Sequence, residues 1–225
     1  MTEIIGTIAN SPLFNGLSDL QLRDIQEIAI PRRYGKGETI FSEGDAGDGF
    51  YIVIEGKIKI CKIAADGKEQ ILHIFGPGEP FGEVPVFSGR PFPATAQTLS
   101  KANLLFLPRT AFVELISGNP SLALSMLAVL SKRLRQFTVQ IENLSLKEVP
   151  ARLASYLLYL AREQETPGEV TLEISKGQLA SLLGTIPETL SRIFARMSSM
   201  QLIEVNNRQI RLINIPGLEE LAENG

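Results

Sequence analysis

Hydrophobic and polar residues alternate in short runs from about residue 12 to residue 117, and glycine-containing turns separate the runs. This alternation predicts half-buried β-strands. The predicted turns are Glu55-Gly56, a tight hairpin, then Asp66-Gly67 and Gly76-Pro77-Gly78. Short, evenly spaced strands favour a closed antiparallel β-barrel or a jelly roll, with a capped helix from Ser18 to Ile30 preceding it.

The period changes between about residues 119 and 147. Apolar residues there recur at alternating intervals of three and four, at Leu127, Leu130, Leu134, Phe137, Ile141 and Leu144. This spacing is typical of a coiled-coil seam. A helix that packs only on its own barrel is the alternative, but a long, regular seam favours self-association and therefore a homodimer.

Pro150 disfavours helix at the residue before it, so we place a hinge at Glu148-Val149-Pro150. A helix over 151–164 and a short strand over 170–174 are expected after it. Two alternating strands flank Asn206-Asn207, which predicts a hairpin. The sequence therefore predicts a sensing domain over 1–118, a dimerisation helix over 119–147 and a third domain over 148–225, all within an α+β fold.

The segment from Ser175 to Ile193 predicts a helix-turn-helix. Its apolar residues are spaced for two short crossed helices, and Gly184 lies where the chain must turn. Ser175 and Thr185 are the expected N-caps, and Pro187 suits the first turn of the second helix. The hairpin that follows would then be a wing.

The outward residues of the second helix suit contact with bases. Arg192 can donate to the O6/N7 edge of guanine, and Glu188 can accept from cytosine N4. An ordinary helical hairpin shares the apolar pattern but does not explain this pair. The predicted DNA-binding residues are Ser175, Lys176, Thr185, Pro187, Glu188, Thr189, Ser191, Arg192, Arg196 and Arg208.

Composition narrows the function further. The net charge is −3, so affinity for DNA must come from a few well-placed basic residues rather than from a basic patch. A single cysteine, Cys61, excludes an internal disulfide and a multi-cysteine metal site within one chain. No apolar run approaches the ~20 residues that span a bilayer. We therefore expect a cytoplasmic protein with no membrane partner.

In this order of elements the chain resembles the Crp/Fnr superfamily of bacterial transcription factors, named for the cyclic-AMP receptor protein and the fumarate–nitrate reductase regulator. The motifs that resemble the family are 75–83 (FGPGEPFGE), 149–154 (VPARLA) and 188–192 (ETLSR). The resemblance implies a homodimer that binds a palindromic TTGA-like or TGTGA-like operator, responds to a small-molecule effector and contacts RNA polymerase.

The effector site departs from the cyclic-nucleotide pattern. Nucleotide binders have an Arg-Ser pair that neutralises the cyclic phosphate, whereas this chain has Phe92-Pro93 there. Because an apolar ring cannot pair with a buried anion, cAMP is not the expected effector. Arg90 is the alternative phosphate partner, and a cAMP-gated regulator stays the alternative function. The predicted effector pocket consists of Gly82, Glu83, Arg90, Phe92, Ala94, Thr95, Phe137 and Thr138, with Glu83 capping nearby backbone N–H groups.

Other effector classes follow from the remaining residues. The chain lacks the N-terminal cysteines that hold the iron–sulfur cluster in the other branch of the family, so no such cluster is expected. A haem-based sensor of redox or nitrosative stress would use His73, the only histidine, although an ordinary strand histidine with a hydrogen bond is the favoured interpretation. A small organic ligand is the third possibility.

The residues disfavour two further classes of function, an enzyme and an adaptor. A metal-dependent enzyme in the barrel needs several converging imidazoles, which one histidine cannot supply, so no enzyme is expected. A ligand-binding adaptor without DNA binding does not need the base-reading pair Glu188 and Arg192.

Overall fold

The computed structural model describes residue 6 and residues 8–9, 11–14 and 18–224. Close packing divides the chain into two compact units, Met1–Leu134 and Arg135–Gly225. The fold contains both helices and antiparallel sheets, and a helix-turn-helix lies in the second unit.

The first unit consists mainly of short strands. Its described elements are a 3-10 turn (Pro12–Phe14), α1 (Asp19–Ile28), β1 (Ile30–Tyr34), β2 (Thr39–Phe41), β3 (Gly49–Glu55), β4 (Ile58–Ile63), β5 (Glu69–Phe75), β6 (Pro80–Phe81), α2 (Val84–Ser88), β7 (Thr95–Thr98), β8 (Ala102–Pro108) and α3 (Arg109–Gly118). Helix α4 (Pro120–Leu146) begins in this unit and ends in the second. Ser18 caps α1 in a capping box with Gln21, which confirms the predicted helix start.

The eight strands form two four-stranded antiparallel sheets rather than one closed barrel. The strand orders are β1-β8-β3-β6 and β2-β7-β4-β5. The jelly-roll alternative, which consists of two sheets, is therefore the better description. The predicted turn at Asp66-Gly67 is confirmed, and it joins β4 to β5 as a hairpin.

The hairpin predicted at Glu55-Gly56 is wrong, because β3 and β4 lie in different sheets. Gly56 has a φ of 93°, and a Cβ at this position would lie 2.4 Å from the carbonyl oxygen of Lys101. The glycine therefore lets the chain cross closely over the start of β8 as it passes from one sheet to the other. The sequence signal was correct for a tight turn but did not reveal this distant neighbour.

Two apolar clusters stabilise the first unit. One lies between the sheets and contains Phe41, Val53, Ile58, Phe75, Phe81, Phe92, Ala96, Ala102 and Leu104. The other covers the outer face of the first sheet with residues of α1, α3 and α4, including Ile25, Phe112, Leu122 and Met126. Burial of this apolar area is the main favourable term for folding of the unit.

The second unit contains the end of α4 and then α5 (Val149–Glu163), β9 (Glu169–Thr171), α6 (Lys176–Leu182), α7 (Pro187–Ser199), β10 (Ile203–Asn206), β11 (Gln209–Leu212) and α8 (Ile215–Asn224). The three strands form one antiparallel sheet in the order β10-β11-β9. Asn207, with a φ of 55°, turns the chain between β10 and β11 and confirms the predicted hairpin. Pro150 lies in the first turn of α5, two residues after the break that follows α4.

Helix α4 exposes most of its predicted seam in the single chain. Leu127, Leu134, Phe137 and Ile141 are exposed, and Leu130 and Leu144 are half-buried. Among the described residues, no single helix is long and apolar enough to cross a membrane, and only the bent pair α3 and α4 passes that test jointly. The division into domains 1–118, 119–147 and 148–225 stays a prediction, since α4 spans the two compact units.

Candidate DNA-binding surface and effector site

The helix-turn-helix is formed by α6 and α7. Ser175 caps α6 in a capping box with Gln178, as predicted. Leu179 and Ala180 of α6 are fully buried, as is Leu190 of α7, so small and apolar side chains separate the two helices. The buried positions agree with the spacing in the sequence.

The turn between the two helices differs from the prediction in one residue. Gly184 has a φ of 68° and its N–H donates to Ser181, while the Thr185 N–H donates to the carbonyl of Ala180 at 2.9 Å. These bonds form a Schellman motif that closes α6. Because Thr185 completes this motif, the N-cap of α7 is Ile186, which has no side-chain cap, and the predicted cap at Thr185 is wrong.

One face of α7 is polar and exposed. Glu188 and Arg192 are four residues apart and therefore lie on the same face, with Arg196 one turn further along. The guanidinium of Arg192 is restrained by a bond from Nη2 to Thr189 Oγ1 at 3.2 Å. Ser191 Oγ donates to the carbonyl of Pro187 at 2.8 Å. The opposite face packs Ile193, Phe194 and Met197 into the unit.

The remaining predicted DNA contacts lie on neighbouring elements. Lys176, in the first turn of α6, places its Nζ 5.4 Å from the centre of the Phe194 ring. Arg208 is exposed at the tip of the β10–β11 hairpin, beside Asn207. Exposed basic side chains therefore occur on α6, on α7 and on the wing, although the net charge of the chain is negative.

The predicted effector site is occupied by aromatic side chains of the first unit. Phe92 is only 6% exposed, and its ring stacks on Phe41 with the centroids 3.7 Å apart. Gly82 has a φ of 75°, and a Cβ there would lie 3.1 Å from the Phe41 ring and 3.3 Å from the Phe92 ring. Glycine at this position therefore gives both rings room to pack.

The role predicted for Glu83 as a backbone cap is wrong, because its side chain makes no cap hydrogen bond. Its carboxylate instead forms an ion pair with Arg133 of α4, and both side chains are almost buried. Arg133 also donates to the carbonyl of Pro80 and lies over the Phe75 ring, 4.8 Å from its centre. Arg133 could not be predicted as the partner of Glu83, since fifty residues separate the two and no local pattern links them.

The structure places His73, the candidate haem ligand, beside Glu79 and Phe75. Its Nε2 lies 4.0 Å from Glu79 Oε1, an ion-pair distance rather than a hydrogen bond, and its ring packs against Phe75. Burial tends to raise the pKa of Glu79, but interactions with His73, the Gly76 N–H and Arg133 outweigh it and lower that pKa. The phenyl rings of Phe41, Phe75, Phe81 and Phe92 pack between the two sheets, so a haem group bound there would have to displace them.

The other residues of the predicted effector pocket are dispersed. Arg90 is exposed, whereas Ala94 is buried. Thr95 Oγ1 accepts a hydrogen bond from the Glu43 N–H at 3.0 Å. Phe137 and Thr138 are exposed on the part of α4 that belongs to the second unit. Within the first unit, Gly82 and Phe92 are brought together, but Arg90 is not part of their packing.

These features define a class of protein: an N-terminal two-sheet domain followed by a C-terminal winged helix-turn-helix. A family model described as a cyclic nucleotide-binding domain matches residues 31–119, and one described as a Crp-like helix-turn-helix domain matches residues 151–221. The second match covers the capped α6, the turn and α7.

Relatives that match over most of their length support the same assignment. The chain is 30% identical over 214 residues to the CRP-like cAMP-activated global transcriptional regulator of Mycobacterium tuberculosis, covering 93% of this chain and 94% of that protein. It is 33% identical to the cyclic AMP receptor protein of Thermus thermophilus, covering 94% and 97%. The structure of FixK2 from Bradyrhizobium japonicum superposes with a TM-score of 0.77 at 25% identity, over 86% of this chain and 97% of that one.

The chain therefore belongs to the Crp/Fnr family and is a DNA-binding transcription regulator. Its relatives are transcription regulators and not enzymes, as expected from the sequence. The alternative of an adaptor without DNA binding is wrong, since the Crp-like DNA-binding domain is present.

Proposed function

We propose that the chain acts as a homodimer that binds a palindromic operator and responds to an effector other than cAMP. The observation that carries the effector part of this proposal is the buried Phe92 ring stacked on Phe41. It occupies the position at which the resemblance to cyclic-nucleotide binders requires a cation.

The exposed seam of α4 supports a dimer. Leu134 is 69% exposed and Ile141 is 64% exposed, although both are large apolar residues in a regular repeat of three and four. A parallel two-stranded contact between two copies would bury these residues in knobs-into-holes packing. Two-fold protein symmetry would also place two recognition helices on matching half-sites of a palindrome.

Residues of α7 support the reading of a G·C-containing half-site. Glu188 and Arg192 are exposed on one face and lie one helical turn apart. Pro187 has no donor and occupies the position at which the cyclic-AMP branch of the family uses an arginine for a further guanine, so a TTGA-like half-site is favoured over a TGTGA-like one. The two half-sites should be centred about 10 bp apart.

The charge balance near Glu83 argues against cAMP. A buried cyclic phosphate needs a paired cation, and an unpaired charge in an apolar site costs several kcal/mol. Phe92 supplies no charge, and Arg133 is already paired with Glu83. A small, largely apolar organic ligand that competes with the aromatic packing is a better match for this site.

A cAMP-gated regulator is the second candidate, because several relatives are named as cAMP-activated or cyclic AMP receptor proteins. In that case Arg133 would exchange Glu83 for the phosphate, or Arg90 would move to it. As part of either proposal we expect a cytoplasmic protein that contacts RNA polymerase.

The DNA part of the proposal is tested by selecting binding sites from random duplexes with the purified protein. We expect enrichment of a palindrome with G·C-containing half-sites and binding of one dimer per site. Recovery of direct repeats, or of sites bound by one chain, would contradict the proposal. Repeating the selection with 1 mM cAMP should leave the yield of bound DNA unchanged, whereas a large gain would favour the second candidate.

A further inference from the structure

The side chain of Arg152, near the start of α5, forms an unusual number of hydrogen bonds to backbone carbonyls. Its Nε donates to the carbonyls of Asn143 at 3.1 Å and Lys147 at 2.9 Å, and its Nη2 donates to Leu144 at 2.9 Å. Its Nη1 donates to the carbonyl of Leu183 at 2.9 Å. One half-buried guanidinium therefore reaches four backbone carbonyls of the second unit.

Three of these carbonyls lie at the end of α4 or just after it. The last four carbonyls of a helix have no partner within the helix, and a basic side chain often satisfies them. Arg152 takes this role from the next helix rather than from α4 itself. The end of the dimerisation helix is thereby tied to the first turn of α5.

The fourth carbonyl belongs to the helix-turn-helix. Leu183 is the C-cap of α6, next to Gly184 and Thr185, whose backbone bonds form the turn. The planar guanidinium holds its donors in a fixed fork, so moving one set of acceptors strains the bonds to the other. A lysine at this position has a single nitrogen and cannot reach all four oxygens.

We propose that Arg152 is a positioning residue that transmits the geometry of the end of α4 to the helix-turn-helix. When the last turn of α4 shifts, the guanidinium moves the Leu183 carbonyl with it or releases that bond. The adjoining cleft has a volume of about 490 Å³ and is lined by Leu146, Val149, Pro150, Thr189 and Ile193. This space allows the end of α4 and α7 to move relative to each other.

The test combines one substitution that disturbs the end of α4 with another that removes the hydrogen bonds of the Arg152 guanidinium. Ser145→Pro disrupts the last turn of α4 and displaces the carbonyls that Arg152 holds. Arg152→Lys keeps the charge but removes the fork. Arg162→Lys is the matched control, because Arg162 is an exposed arginine in the last turn of the same helix. Hydrogen exchange of the peptide over 183–186 is measured in the full-length protein for each single and double variant.

With Arg152 present, we expect Ser145→Pro to speed exchange over 183–186 by ~5-fold or more, and by less than ~2-fold in the Arg152→Lys background. The Arg162→Lys background should behave like the parent protein. Equal acceleration in all three backgrounds would overturn the proposal, because a merely structural Arg152 gives additive effects. Thermal unfolding of Arg152→Lys checks that the variant is folded, and if it is not, Arg152→Gln replaces it in the cycle.

The effect of Arg152 on DNA binding rests on the proposed function, and it is measured in a separate assay. On the operator recovered by selection, Ser145→Pro should change the dissociation constant several-fold only when Arg152 is present. If the parent protein selects no palindrome, the proposed function fails, while the exchange experiment still decides the role of Arg152. If the parent protein binds but the two substitutions are additive in both assays, the role of Arg152 is refuted.

Discussion

The ring of Phe92 stacks on the ring of Phe41 with an interplanar angle of 7° and a centroid distance of 3.7 Å. This contact joins the segment after α2 to β2 and fills the space between the two sheets. Gly47 and Gly82 permit it, since a Cβ at Gly47 would lie 2.9 Å from the Phe92 ring. A residue that the sequence assigned to an effector pocket is therefore part of the apolar core.

Removing the Phe92 ring should destabilise the first unit. Phe92→Ala leaves a cavity beside Phe41 and should lower the free energy of unfolding by about 3–5 kcal/mol. Phe87→Ala is the matched control, because Phe87 lies nearby in the sequence and is 47% exposed. Its cost should stay within about 0.5 kcal/mol. Urea unfolding followed by near-UV circular dichroism measures both, and equal losses would show that Phe92 is not a core residue.

Charges placed in the α4 seam should prevent self-association. Leu134→Glu combined with Ile141→Glu would bring like charges together across the two-fold axis, so monomers that fail to shift palindromic DNA are expected. Val139→Glu is the control, since Val139 is also exposed on α4 but is not a seam position. Sedimentation at micromolar concentration separates the outcomes. A double variant that still sediments as a dimer would place the interface elsewhere.

Local signals predicted the elements that depend on neighbours in the sequence. Ser18 and Ser175 cap their helices as expected, and each forms a capping box that needs only a hydroxyl and a glutamine three residues later. The wing hairpin at Asn206-Asn207 and the buried positions of α6 and α7 follow equally local rules. The class of fold and the outward face of α7 could therefore be predicted from the sequence.

Features that depend on distant residues could not be predicted. Glu83 pairs with Arg133, and the turn at Gly56 is set by contact with Lys101 and Ala102 rather than by a hairpin partner. The N-cap of α7 is Ile186 and not the predicted Thr185, because Thr185 closes the preceding helix. In each case a contact with a distant residue, or a neighbouring motif, determines the role of the residue instead of the local sequence pattern.

The recognition helix should lose specificity when Arg192 is removed. Arg192→Ala should weaken operator binding by about 1–3 kcal/mol and relax the preference at one base pair. Arg208→Ala on the wing is the comparison: its loss should be uniform across sequences and should lower the salt dependence by about one phosphate contact. Binding-site selection with each variant is the measurement. If Arg192→Ala retains full selectivity, Arg192 does not read a base.

The single cysteine should be unreactive in the folded protein. Cys61 is 1% exposed, and burial, assisted by Glu69 against the opposing charge of Lys59, raises the pKa of its thiol to about 11. Since the thiolate is the reactive form, a disulfide reagent at pH 8 should label native protein at least ~100-fold more slowly than urea-unfolded protein. Rapid stoichiometric labelling of the native protein would contradict this expectation.

We infer that cAMP does not gate this Crp/Fnr regulator, and isothermal titration with cAMP measures whether the nucleotide binds. The titration is run on the full-length protein, and operator affinity is then measured at the same nucleotide concentrations. Because Phe92 supplies no cation and Arg133 is paired with Glu83, we predict no saturable heat below about 1 mM and an unchanged operator affinity. Binding with a dissociation constant of about 1–10 μM, accompanied by a matching gain in operator affinity, would contradict the account.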